Sequence, residues 1–207
     1  MTRVVVLQGG RSSEHDVSLA SAESVVTALR SRGHEVTTID LPRAAGWIPD
    51  AAAAATLATA DVVFPVLHGP FGEDGCIQGV LELAGVAYVG AGVTASALAM
   101  DKDLFKAVLR DRAIPVTRNV TIRRGGTAHN PFSYPVFVKP ARLGSSVGIT
   151  KAHDADELHD AVTLAFAHDE KVVVEEFVHG VEIEVGVLGN DAPVVSLPGE
   201  IVVGGGG

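Results

Sequence analysis

The sequence predicts an α/β fold in two parts, a first domain on a parallel sheet and a second, α+β domain on an antiparallel sheet. Three observations lead there. Residues 3–8 form a β-branched apolar run ending in Gly9 and Gly10, as a strand buried on both faces and followed by a tight turn does. Helix-spaced apolar residues follow, then another strand at residues 35–40, so the opening is a βαβ unit with helices on the sheet's faces. Beyond residue 115, short strands succeed one another at hairpin-like spacing, the pattern of an antiparallel sheet.

Ser13 stands three residues before Asp16, a start resembling a capping box. Val17, Ala20, Ser24, Val25 and Leu29 then recur at helical spacing until Gly33. The alanine-rich residues 51–60 read as a surface helix. Residues 61–67 form a third strand, with Pro65 marking an edge or bulge. A short helix over 75–83 and a short strand over 86–89 come next, and residues 90–94 leave the first domain, whose boundary falls near residue 95. Residues 101–112 make a charged amphipathic helix ended by Pro115. Strands over 117–122, 134–140 and 148–151, a helix over 154–167, and strands over 171–177, 181–188 and 194–203 complete the pattern. The glycines 204–207 read as a flexible tail.

With 207 residues, 47% of them hydrophobic, the chain can bury one large core or two small ones. Its net charge of -9, with no Lys/Arg-rich stripe, argues against a nucleic-acid partner. A single cysteine, Cys76, allows no internal disulfide and reads as a small buried apolar side chain at a helix start. The apolar run over 4–7 is too short for a signal peptide, and no stretch approaches the ~20 apolar residues of a membrane span. A cytoplasmic protein without a membrane partner is expected.

Four segments carry candidate chemistry. Gly9 to Ser18 puts Ser and Glu14 on the first helical turn at the ligand edge of a parallel sheet, where a carboxylate can hold an ammonium group or merely complement the helix dipole. Leu67 to Gly75 carries His68 at a strand end beside the same edge, in a turn rich in Gly and Pro. Val138 to Gly148 sets Lys139 at the close of a strand before the Gly144-Ser145-Ser146 loop. That is either a phosphate cradle without the Gly-Lys-Ser/Thr signature or an ordinary hairpin loop. On the strand 171–177, Glu175 and Glu176 point to opposite faces, while Glu182 and Glu184 share one.

In their order and chain distances these segments resemble the amino-terminal two-thirds of D-alanine:D-alanine ligases of the ATP-grasp superfamily. The matching motifs are Gly-Gly-x-Ser-x-Glu-His-x-Val-Ser, Leu-His-Gly, Gly-Glu-Asp-Gly, Met100-Asp101-Lys102, Lys139-Pro140 with Gly144 to Gly148, and Glu175-Glu176 to Glu182. The resemblance implies a Rossmann-like substrate-binding domain over 1–95, an ATP-grasp central subdomain over 96–180 and the start of a carboxyl-terminal ATP-grasp subdomain over 181–207, incomplete and ending in glycines.

It further implies that Glu14 meets the ammonium of the first D-alanine, with His68 nearby and Ser145 locking Glu14. Lys102 and Lys139 would contact ATP phosphates beneath a lid containing Ser146. Glu175, Glu176, Phe177 and Val178 would line the adenine pocket, and Glu182 would take the ribose hydroxyls. The implied reaction joins two D-alanines for peptidoglycan precursor synthesis. ATP phosphorylates the first, and the amine of the second attacks the acyl phosphate. A homodimer is the implied assembly. The family's lysine–tyrosine pair, its arginine for the tetrahedral intermediate and its Asp/Glu/Asn set for Mg2+ have no counterpart in the sequence, so no metal ligand is assigned and little ligase activity is expected of this chain alone. A D-alanine:D-lactate ligase, an ATP- or D-alanine-binding module without turnover, and an NAD-dependent oxidoreductase sharing the first βαβ unit are the competing readings.

Overall fold

The computed structural model describes residues 1–44 and 46–202. The chain divides into two compact units, Met1–Glu176 and Phe177–Gly207. Among the described residues no helix is long and apolar enough to cross a membrane.

The first unit opens on β1 (Arg3–Gly9), α1 (His15–Ser31), β2 (Glu35–Leu41), α2 (Ala51–Thr59), β3 (Val62–Pro65) and α3 (Cys76–Ala84). The three strands form a parallel sheet in the order β2-β1-β3. As the central strand, β1 is apolar on both faces for a reason the packing makes plain. Val4 and Val6 meet Ala22 and Val26 of α1, whereas Val5 and Leu7 meet Leu57 of α2 and Ile77 and Leu81 of α3. Fully burying each such side chain contributes about 1.5–3 kcal/mol.

The entry to α1 departs from the capping box. Glu14 occupies the N-cap without a side-chain cap bond, and Asp16 pairs with Arg43 instead. Ser18, fully buried, accepts from Gly9 N at 2.9 Å and donates to Val66 O, so one hydroxyl ties the helix to the ends of two strands. Residues 86–89 make only an isolated parallel bridge, Val63 to Tyr88, rather than a strand.

Two helices follow, α4 (Val93–Met100) and α5 (Lys102–Asp111). The first begins within the expected domain exit at 90–94 and runs on through residues to which the sequence pattern assigned no element. Asp101 separates them and caps α5, accepting from Asp103 N and Leu104 N at 3.2 Å each. Then come β4 (Asn119–Arg123), β5 (Val136–Pro140), β6 (Thr150–Ala152), α6 (Ala155–Phe166) and β7 (Lys171–Glu176). These strands form an antiparallel sheet ordered β4-β7-β5-β6. Only β5 and β6 are a hairpin; β7 enters between β4 and β5. Strand parity splits the sheet's two faces. Val136, Val138, Val172 and Val174 pack on Leu158, Ala161, Val162 and Ala165 of α6. Lys139, Lys171 and Glu175 occupy the alternate positions.

In the second unit, β8 (Glu182–Glu184) pairs antiparallel with β11 (Gly199–Ile201), and β9 (Val187–Leu188) with β10 (Val194–Val195). The two strands expected over 181–188 and 194–203 are thus each divided. Between the two ladders, Gly186 and Ser196 exchange bonds of 2.9 Å from Gly186 N to Ser196 Oγ and from Ser196 N to Gly186 O. The glycines 204–207, expected to form a tail, and Val203 lie outside the described residues.

Candidate functional site

Glu14 stands at the carboxyl end of β1, the ligand edge of a parallel sheet. The Ser145 hydroxyl donates to Glu14 Oε1. On the other oxygen, a β-carbon added at Gly69 would lie 2.7 Å from Glu14 Oε2. Gly69 is therefore required twice, by its φ of +69° and by this close approach. The loop around it is fixed by Gly69 N donating to Glu73 Oε2 at 2.7 Å and Glu73 N donating to Gly69 O at 2.9 Å. Ser145 and Ser146 both take left-handed backbone, φ 52° and 59°, which costs a non-glycine residue about 1–3 kcal/mol. That conformation aims the loop after β5 at the first turn of α1.

His68 lines a cleft of about 640 Å³ together with Glu73, Gln78, Lys102, Leu143 and Gly144. Two buried polar atoms of this lining, His68 Nε2 and Gln78 Oε1, have no hydrogen-bond partner among the described residues. A buried polar atom left unpaired is costly and marks a place where water or a ligand group is expected.

Lys102 opens α5. Its backbone N donates to Ala141 O at 3.0 Å and its ammonium to Leu143 O at 2.5 Å, which pins the helix start to the chain leaving β5. On β5, Lys139 Nζ reaches Glu175 Oε2 at 2.6 Å, and Lys106 Nζ reaches Glu175 Oε1 at 2.6 Å. The expected opposition of Glu175 and Glu176 holds in space, because Glu176 turns the other way to Arg118 at 2.6 Å. Burial, and then the nearby Lys139 charge, push the Lys102 ammonium below its ordinary 10.5. Burial alone would raise the Glu175 carboxyl, but hydrogen bonds from Lys106 and Lys139 outweigh it and hold that group below its ordinary 4.5. Three ammonium groups thus gather around one buried carboxylate, leaving a surplus of positive charge suited to an anion.

Behind this cluster, Lys171 Nζ meets Asp101 Oδ2 at 2.6 Å and Asp103 Oδ2 at 3.4 Å, with the Lys171 and Asp101 side chains both nearly buried. Sequence reasoning assigned no role to Lys106 or Lys171 and named Asp101 only within the Met100-Asp101-Lys102 motif. The only signal for Lys106 was its place four residues after Lys102, on the same helical face.

Glu14 and Ser145 are brought together, as are Lys102, Lys139 and Glu175, and His68 shares a cleft with Lys102. Ser146 lies in the loop beside Ser145. Phe177, Val178 and Glu182 belong to the second unit. There the Phe177 ring stands edge-on to His179 at 4.4 Å, and Glu182 pairs with Ile201 across β8 and β11. Among the described residues no group of three His, Cys, Asp or Glu side chains could hold a metal ion. The described residues therefore do not fit the Mg2+ site that the resemblance implies, and the charge neutralisation open to them is that of their lysines.

Comparison with known proteins finds relatives across nearly the whole chain. A family model described as D-ala D-ala ligase N-terminus matches residues 3–60 and 48–91, and one described as D-ala D-ala ligase C-terminus matches residues 108–206. A D-alanine--D-alanine ligase from Solibacter usitatus is 47% identical over 97% of this chain and 63% of its own length, and D-alanine--D-alanine ligase A from Mesorhizobium japonicum is 43% identical over 97% and 68%. The chain thus spans about two-thirds of the length of these relatives. Among solved structures, the D-alanine-D-alanine ligase of Coxiella burnetii superposes with a TM-score of 0.88 at 34% identity, covering 98% of this chain and 71% of that one. The VanG D-Ala:D-Ser ligase of Enterococcus faecalis superposes with a TM-score of 0.81 at 33% identity, over 96% and 69%.

Proposed function

Because the chain belongs to the D-alanine–D-alanine ligase family, we propose that it carries the first-substrate site and the nucleotide-phosphate site of an ATP-dependent ligase that joins two D-alanines in the cytoplasm. The observation that carries this reading is the Glu14 carboxylate, clamped between the Ser145 hydroxyl and the Gly69 backbone. It sits in the same unit as Lys102 and Lys139.

Glu14 accepts the ammonium group of the first D-alanine, so that its carboxylate can be aimed at the nucleotide. Lys102 and Lys139 draw the triphosphate chain into the cleft and offset the charge that moves as the phosphoryl group transfers. Ser145 joins the two sites mechanically, since the loop that bears Ser146 and its backbone amides is the one that holds Glu14. Holding both reactants in one geometry is the larger part of the catalytic effect. Phe177 and Val178 contribute to the base pocket and Glu182 to the ribose hydroxyls. The acting species is a homodimer whose product serves peptidoglycan precursor synthesis.

Calorimetric titration of the chain with ATP and with D-alanine tests the reading, followed by phosphate release with D-alanine, D-serine or D-lactate as second substrate. Saturable heat for both first ligands is expected. Absence of both, with binding of a dinucleotide instead, overturns the assignment. The likeness to a D-Ala:D-Ser ligase favours including D-serine. Binding without turnover identifies a module that needs further chain to react.

A further inference from the structure

Glu175 is a buried carboxylate with both oxygens in use, Oε1 at 2.6 Å from Lys106 and Oε2 at 2.6 Å from Lys139. Those two lysines are not equivalent. Lys106 is held a second time, by Thr117 O at 2.9 Å, and its side chain is the more buried of the pair. Lys139 comes from β5, directly before the loop carrying Ser145 and Ser146, and the ammonium of Lys102 is close enough to feel its charge.

An anion arriving between Lys102 and Lys139 must share the Lys139 ammonium with Glu175. Had Glu175 no other partner, the incoming phosphate could gain Lys139 only by stranding a buried negative charge, which is strongly unfavourable. The second lysine removes that conflict. Lys102 and Lys106 sit four residues apart on one face of α5, so the helix presents one ammonium to the loop and the other to Glu175.

Resting on the phosphate-site reading above, we propose that Lys106 is a positioning residue for nucleotide binding: it keeps Glu175 paired, so that Lys139 is free to turn from the carboxylate to a phosphate. Lys106 itself touches no phosphate. The low position of the Glu175 carboxyl, held down by both lysines, fits a carboxylate that stays ionised while its partners change.

The test is calorimetric binding of ATP and of adenosine to the full chain and five variants. For Lys106→Met, ATP affinity is expected to fall about tenfold, the scale of coupling between contacting charged groups, with adenosine affinity unchanged. Lys106→Arg should restore ATP binding. In a Glu175→Gln background, where no buried charge needs a partner, adding Lys106→Met should leave ATP affinity where Glu175→Gln alone put it. An equal loss in both backgrounds overturns the proposal, because Lys106 would then act through Thr117. So does full ATP affinity in Lys106→Met. Lys139→Met separates the two levels of inference. If it weakens ATP binding while Lys106→Met does not, only the role of Lys106 fails; if the unaltered chain binds no ATP, the phosphate site fails and Lys106 with it. Lys106→Gln replaces the methionine variant if circular dichroism shows the latter unfolded.

Discussion

The Ser145 hydroxyl donates to Glu14 Oε1 across 131 residues of chain, joining the loop after β5 to the first turn of α1. A hydrogen bond to a charged group contributes about 1.5–3 kcal/mol when buried; this one is exposed and contributes less to stability. Ser145→Ala should therefore leave the urea midpoint nearly unchanged. Through looser placement of Glu14 it should weaken D-alanine binding roughly tenfold, near the lower bound of that range. Titration with D-alanine measures this, and Glu14→Gln should abolish the heat.

Gly69→Ala tests the other side of the same carboxylate. Gly33 is a control for the backbone alone, since its φ is +80° and an added β-carbon meets nothing within 4 Å. Gly33→Ala should cost about 1–2 kcal/mol for left-handed backbone. Gly69→Ala should cost more, because its β-carbon would sit 2.7 Å from Glu14 Oε2, and it alone should abolish D-alanine binding. Equal costs and intact binding would show that Glu14 is not pressed against this backbone.

Alkaline pH should release the nucleotide through Lys102. Its ammonium sits below the ordinary 10.5, first because it is buried and second because Lys139 is near. Only the protonated form attracts phosphate, so affinity persists below that lowered value and is lost as pH rises through it. Lys102→Arg, whose charge persists in this range, should carry the alkaline limb upward. An unmoved limb in ATP titrations from neutral to alkaline pH would assign it to another group.

The pair of Lys171 with Asp101 should matter to stability rather than to binding. Both side chains are nearly buried and 2.6 Å apart, and Asp101 also caps α5. Removing one partner of such a pair costs about 3–5 kcal/mol, so Lys171→Met should lower the urea midpoint markedly. Adding Asp101→Ser, which keeps a capping oxygen without the orphaned charge, should recover part of the loss.

The elements visible in the sequence were those whose burial follows a simple period. Strand β1 is apolar at every position from Val4 to Leu7 because helices cover both its faces, and Glu175 and Glu176 diverge by strand parity. Helix α4 was missed because Val93–Met100 is apolar or small all round, with no polar stripe to mark a helical face. The capping box at Ser13 and Asp16 did not form, because Glu14 rather than Ser13 stands at the N-cap and Asp16 pairs with Arg43. Local pattern is equally silent about Lys106 meeting Glu175 or Lys171 meeting Asp101, since each joins residues about seventy positions apart. The motif residues Glu14, Ser145, Lys102 and Lys139 were legible as a set through their order along the chain. Their supporting partners were not, because a charge on an amphipathic helix looks the same whether it faces water or a buried carboxylate.

The insertion of β7 between β4 and β5 orders events on the ribosome. Translation delivers β4, then β5 with β6, long before residues 171–176 emerge, and neither earlier piece can pair with the other. Helix α6, made before β7, can already cover the valines of β5, but β4 has no neighbouring strand and Lys139 waits without its counterion. Arrival of one six-residue segment then closes the sheet, completes the packing under α6 and assembles the charge cluster together. A nascent chain halted before residue 171 should be prone to capture by chaperones, whereas one released a few residues later carries the whole of this layer.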